Sequence, residues 1–178
     1  VDVFGADSQA ELIKIAEHAP GGRVLIRMAV SPAASEVPSE GKFGVGADQA
    51  LRLLLAADDL GLTPWALTFH VGSQMTEPTA WARPIREAGV IMERLGLAGH
   101  RLAALDIGGG FPADYGQPVP PIDAYAAVIA TELARLPYEV SVLAEPGRGL
   151  VADAGVLHAT VIGLAERGER RWVHLDVG

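Results

Sequence analysis

Cysteine is absent from the 178 residues, lysine occurs only at Lys14 and Lys42, and aromatic side chains make up 6% of the chain. Without a thiol there is no disulfide framework, no thiolate metal site and no cysteine nucleophile; no metal is expected. Basic residues are also sparse. Fourteen Lys and Arg stand against 22 Asp and Glu, a formal net charge of −8. Phosphate backbones need clustered Lys and Arg, so nucleic acid is not the expected partner. No apolar run reaches the roughly 18 residues of a membrane span. The opening VDVFGADSQAEL is neither a basic nor an apolar signal segment. The expectation is a cytoplasmic protein with no membrane partner. A hydrophobic share of 49% and a charged share of 20% allow a sizeable core and argue against disorder. The length suits one ordinary domain or part of a larger barrel.

Glycine is plentiful, at 21 residues, about 12% against an average near 7%. The excess gathers in GKFGVG (41–46), the triple glycine 108–110 and EPGRG (145–149). Glycines that follow apolar runs point to backbone turning tightly beside a ligand. There is no fixed-period repeat, low-complexity tract or linker.

Short apolar runs alternate with helical patterns. VDVFGA reads as a strand. SQAELIKIAEHA follows as a helix, with Ser8 as N-cap and Glu11 at capping-box spacing. RVLIRMAV (23–30) is a nearly continuous apolar run, as in a strand covered on both faces. A loop from Ser31 to Gly46 is long enough to suggest function. Helices over 47–60, 79–95 and 122–136 separate strands at WALTFHVG (65–72), RLAALDIGGG (101–110) and YEVSVLAEPGRG (138–149). Two further strands, in VLHATVIGLAERG and RRWVHLDVG, follow without a helix between them. Five strands joined by four helices imply parallel βαβ units, either doubly wound or part of an eight-stranded barrel. Both architectures place ligands at the C-terminal strand ends.

Those ends carry the candidate residues. FHVGS (69–73) puts His70 and Ser73 at a strand tip; taken alone, His70 reads as a histidine satisfied by hydrogen bonds. LDIGGGFP (105–112) follows a strand with three glycines, either a tight turn into the next segment or, the favoured reading, a nest of converging amides that binds phosphate. The motif is neither GxGxxG nor a P-loop. In AEPGRG (144–149), Glu145 and Arg148 form either a surface pair of little worth or a divided site. In the divided site Arg148 holds phosphate and Glu145 meets a basic ring nitrogen. Arg27 lies inside an apolar strand, where it either snorkels to the rim or faces a polar ligand. Together these motifs call for a ligand with a phosphate, a flat ring and a basic ring nitrogen. Pyridoxal 5'-phosphate has all three.

GADSQAELIKI, RVLIRM, KFG (42–44), FHVGS, LDIGGGFP and AEPGR, in that order, resemble the ornithine/diaminopimelate/arginine decarboxylase family. This is the pyridoxal-phosphate group with an alanine-racemase-like barrel (fold type III). GGGFP after LDI is more like its ornithine or lysine branch. The resemblance implies an α/β fold: a partial TIM-type (β/α)8 barrel of about five parallel strands over residues 1–153, then the start of a C-terminal β domain over 154–178. It implies that His70 stacks on the cofactor ring. Ser73, Gly108, Gly109, Gly110 and Arg148 would hold the phosphate, and Glu145 would bond the pyridine nitrogen. Arg27 and His70 would serve catalysis. The family's Schiff-base lysine lies on an early barrel strand, expected upstream of Val1, since Lys14 falls in a helix and Lys42 in KFG. The chain therefore resembles an internal segment, inactive alone, of a homodimeric enzyme taking ornithine to putrescine or lysine to cadaverine. A non-catalytic regulatory homologue and a pyridoxal-phosphate racemase are the alternatives. A partial barrel also leaves two open sheet edges, which invite association.

Overall fold

The computed structural model describes residues 1–30, 35–37 and 42–177. Much of the expected 31–46 loop lies outside these residues. Strands are β1 (Val3–Ala6), β2 (Arg23–Arg27), β3 (Ser35–Val37), β4 (Thr63–Thr68), β5 (Ser73–Met75), β6 (Ala104–Asp106), β7 (Ser141–Leu143), β8 (Val161–Arg167) and β9 (Arg170–Leu175). Helices are α1 (Gln9–His18), α2 (Ala47–Asp59), α3 (Ala82–Leu97), α4 (Ile122–Leu133) and the single turn α5 (Arg148–Val151).

Ser8 caps α1 as its spacing predicts. Its extended backbone lets Oγ accept the Glu11 N–H at 3.3 Å, which satisfies a donor left over at the helix start. The Glu11 carboxylate turns to Lys14.

The main sheet runs β1-β2-β4-β6-β7, and every neighbouring pair is parallel. Order in space follows order in the chain. A doubly wound sheet would reverse at a switch point; this one does not. Helices α1 to α4 pack each against the next, the arrangement of a barrel's outer ring. The segment is therefore singly wound. In β2, Val24 and Ile26 are fully buried, whereas Arg23, Leu25 and Arg27 are half-buried. The apolar run RVLIRMAV is thus covered by helices on one face only, and the other face is more open.

Strands are shorter than their apolar runs suggest, because the regular ladder stops after a few residues. Ladder-like bonds nonetheless continue across the tips: Met28 N–H to Thr68 O at 2.8 Å, Ile107 N–H to Leu143 O at 2.9 Å and Glu145 N–H to Gly108 O at 2.8 Å. The expected long loop contains β3, which pairs antiparallel with β5. The segment expected to start a helix at Thr79 begins as a 3-10 turn, Pro78–Trp81, ahead of α3. β8 and β9 form the antiparallel pair that the sequence suggests, turning at Gly168.

Behind the tips sits an aromatic trio. Trp81 stacks on Phe111 at 4.7 Å and meets Tyr125 edge-on at 5.5 Å. Its indole N–H donates to Ile107 O at 3.1 Å, and the Tyr125 hydroxyl donates to Met75 O at 2.9 Å. One apolar cluster thereby holds both the segment after β4 and the segment after β6.

Candidate functional site

The tips of β2, β4, β6 and β7 border a cleft of about 440 Å³, lined among others by Asp7, Arg27, Phe43, Thr68, Asp106 and Glu145. Arg27 ends β2. Its guanidinium lies over the Phe43 ring at 5.3 Å, with no carboxylate at ion-pair distance among the described residues. The KFG segment reaches this position because Val45 bridges to the end of β2, its N–H donating to Arg27 O at 3.0 Å. The Gly44 N–H also donates to Asp7 Oδ2 at 2.9 Å. Lys42 is exposed.

His70 follows β4 and is half-buried. Its Nδ1 accepts the Gly72 N–H at 2.9 Å, so in the neutral ring the hydrogen sits on Nε2. Burial pushes the imidazole below its ordinary value; Arg27 adds to this and Asp106 opposes it. A neutral, oriented ring is the result.

The triple glycine occupies the place where three tips converge. Gly108 has φ 64°, and a Cβ there would run into the Phe69 carbonyl. A Cβ on Gly109 would strike the Glu145 carbonyl and stand 3.3 Å from His70 Nε2. One on Gly110 would stand 2.7 Å from Val71 Cγ2. No larger residue fits without separating the tips. Gly109 is buried, yet among the described residues neither its amide nor that of Gly110 has a protein acceptor. Buried amides normally find a partner, so this pair suits an oxyanion.

Glu145 stands two residues past β7. It is exposed overall on the open flank of the sheet, but desolvation where it meets the cleft, and then Asp106, raise its carboxyl above the ordinary value; Arg27 opposes them. A carboxylate of raised basicity is a better acceptor for a protonated ring nitrogen.

Of the residues singled out in the sequence, Arg27 and Glu145 line the cleft, and His70 and Gly109 adjoin one another beside Glu145. Ser73 opens β5, half-buried opposite Val37. Arg148 is exposed, its guanidinium over the Tyr115 ring at 5.8 Å, and it is not among the residues lining the cleft. Its turn is still anchored to the glycine segment, since a Cβ on Gly149 would stand 3.1 Å from Phe111 Cβ. Sequence reading missed Asp106, Thr68 and Asp7. The D-x-G spacing of Asp106 and Gly108, typical of an Asx-turn, is the signal that marks the first of these.

The model for the pyridoxal binding domain of pyridoxal-dependent decarboxylases matches residues 1–152. A lysine/ornithine decarboxylase of Selenomonas ruminantium is 36% identical over 176 residues, 98% of this chain and 45% of that protein. Antizyme inhibitor 2 of Xenopus laevis is 32% identical over 169 residues, 93% of this chain and 37% of that protein. The crystal structure of the Vibrio vulnificus lysine/ornithine decarboxylase complexed with putrescine superposes with a TM-score of 0.79 at 39% identity. It covers 98% of this chain and 46% of that one. The chain spans less than half the length of these relatives. The chain belongs to the pyridoxal-dependent decarboxylase family, with residues 1–152 matching the family's pyridoxal binding domain.

Proposed function

We propose that the full-length protein containing this chain decarboxylates a basic amino acid, ornithine or lysine, to the corresponding diamine, with pyridoxal 5'-phosphate held at the strand tips described above. The observation that carries this reading is the convergence of two acceptor-less glycine amides, a neutral oriented imidazole and a raised-basicity carboxylate at neighbouring tips. These three features match the cofactor's phosphate, flat ring and ring nitrogen. When bound, the cofactor draws off the electron pair left at the substrate's α-carbon as CO₂ departs.

The roles of this chain's residues follow from their surroundings. The amides of Gly109 and Gly110 would donate to phosphate oxygens, helped by the Gly108 turn that presents them. Ser73 and Arg148 complete the phosphate end. The His70 ring, oriented by the Gly72 N–H, would stack on the cofactor ring. Glu145 holds a proton at the ring nitrogen. Arg27 supplies positive charge beside the reacting centre, buttressed by Phe43. The β8–β9 pair is the start of the second, β domain, and the assembly is a homodimer.

The test is to incubate the full-length protein and pyridoxal phosphate with ornithine, lysine or arginine, and to quantify CO₂ and diamine. Equimolar CO₂ and putrescine or cadaverine is the expected result. D-amino acid without CO₂ would make the protein a racemase instead. Absence of cofactor binding would favour a non-catalytic role, a reading prompted by the Xenopus relative's name.

A further inference from the structure

We propose that Asp106 is a positioning residue that sets the glycine turn for phosphate capture, a role that rests on the cofactor reading above. Asp106 is 7% exposed on the border of the cleft. Its Oδ2 accepts the Thr68 hydroxyl at 2.9 Å and its Oδ1 accepts the Gly108 N–H at 2.9 Å. Gly108 O in turn accepts the Glu145 N–H at 2.8 Å, while Thr68 O accepts the Met28 N–H at 2.8 Å. Asp106 and Gly108 therefore join the β2, β4, β6 and β7 tips in one continuous series of bonds.

A buried carboxylate is costly unless well partnered. No Lys or Arg lies at ion-pair distance of Asp106 among the described residues. An asparagine makes the same Asx-turn without the charge but offers one acceptor oxygen, not two. The carboxylate is the group that can accept from Thr68 and from Gly108 at once. With Gly108 fixed, the direction of the next two amides, Gly109 and Gly110, is fixed as well. A ligand with a phosphate therefore gains from Asp106, whereas the same ring without one gains little.

The test uses full-length protein stripped of cofactor, titrated with pyridoxal phosphate and with pyridoxal, in wild type, Asp106→Ala and Asp106→Asn. In the alanine variant the affinity for pyridoxal phosphate is expected to fall about tenfold or more, with pyridoxal affinity moving by no more than about twofold. Asparagine, which keeps an acceptor for Gly108, restores most of the loss. Should the alanine variant not fold, Thr68→Val, which cuts one arm, carries the test; a phosphate-selective fall of about threefold supports the proposal. Equal losses for both ligands, or asparagine falling as far as alanine, overturn it. Failure of the wild type to bind pyridoxal phosphate would instead sink the cofactor reading itself.

Discussion

The sheet-and-helix region up to Val140 and the stretch beyond it are comparably apolar, yet they bury their side chains very differently. In the first, Leu12, Ile26, Leu54, Leu67, Ile85, Ile91 and Leu95 are wholly inaccessible. In the second, Val142, Leu150, Val156, Ile162, Leu164, Trp172 and Val173 are all exposed, Ile162 at 68% and Leu164 at 67%. The first region has helices laid over one face of its sheet. The second is organised by backbone pairing of β8 with β9, and a lone two-stranded hairpin is marginal in water. Apolar content alone therefore does not make a core; a covering layer does. The cleft lies at the junction, with most of its lining on the well-packed side and Glu145 on the thinly covered side.

The sharpest way to break this comparison is to truncate one apolar side chain in each region. Trp81→Ala removes the centre of the aromatic trio and the bond to Ile107, and is expected to cost about 3–5 kcal/mol. Leu164→Ala should stay within about 0.5 kcal/mol in the chain alone. Urea unfolding of both variants reads the difference; similar losses would show that the second region carries its own core. Hydrogen exchange offers a second view. The amides of Val24, Ile26, Leu67 and Leu105 should exchange as slowly as global unfolding permits, and those of β8 and β9 far faster.

A smaller effect is expected at Gln74, the non-glycine residue with positive φ, 55°, among the described residues. Its buried side chain grips Ala113 twice, donating to the carbonyl at 2.6 Å and accepting from the N–H at 3.1 Å. Gln74→Gly relieves the backbone and loses both bonds, for a net cost of about 1 kcal/mol. A Gln74→Gly variant more stable than wild type in thermal melts would show that the grip is dispensable.

The smallest effect is on pH dependence. The His70 imidazole is lowered in the folded state, so the unfolded chain takes up that proton first on acidification. Its contribution makes stability fall as pH drops through about 6.5, the unfolded value. His70→Gln should flatten that part of the stability–pH profile, and an unchanged slope would contradict it.

The alternation of strands and helices, the Ser8 cap and the glycine clusters were legible because each is encoded within a few neighbouring residues. The choice between winding schemes was not, since strand order is a property of pairing across the sheet. Strand ends were overrun because the regular ladder stops while the sequences stay apolar. β3 escaped notice because SEV is too short to show a period. Trp81 and Tyr125 act through partners 26 and 50 positions away, which no local pattern reports. Asp106 was read as part of a strand although its side chain joins β4 to the glycine turn. Arg148, prominent in its motif, stands outside the cleft lining.

The central claim is that neighbouring strand tips grip the two ends of one cofactor, phosphate at the glycine turn and ring nitrogen at Glu145. A crystal structure of the full-length protein with pyridoxal phosphate tests it most directly. The account predicts phosphate oxygens within hydrogen-bond distance of the Gly109 and Gly110 amides and the ring nitrogen within that distance of the Glu145 carboxylate. A phosphate bound away from the glycine turn, or a ring nitrogen facing another group, would contradict it.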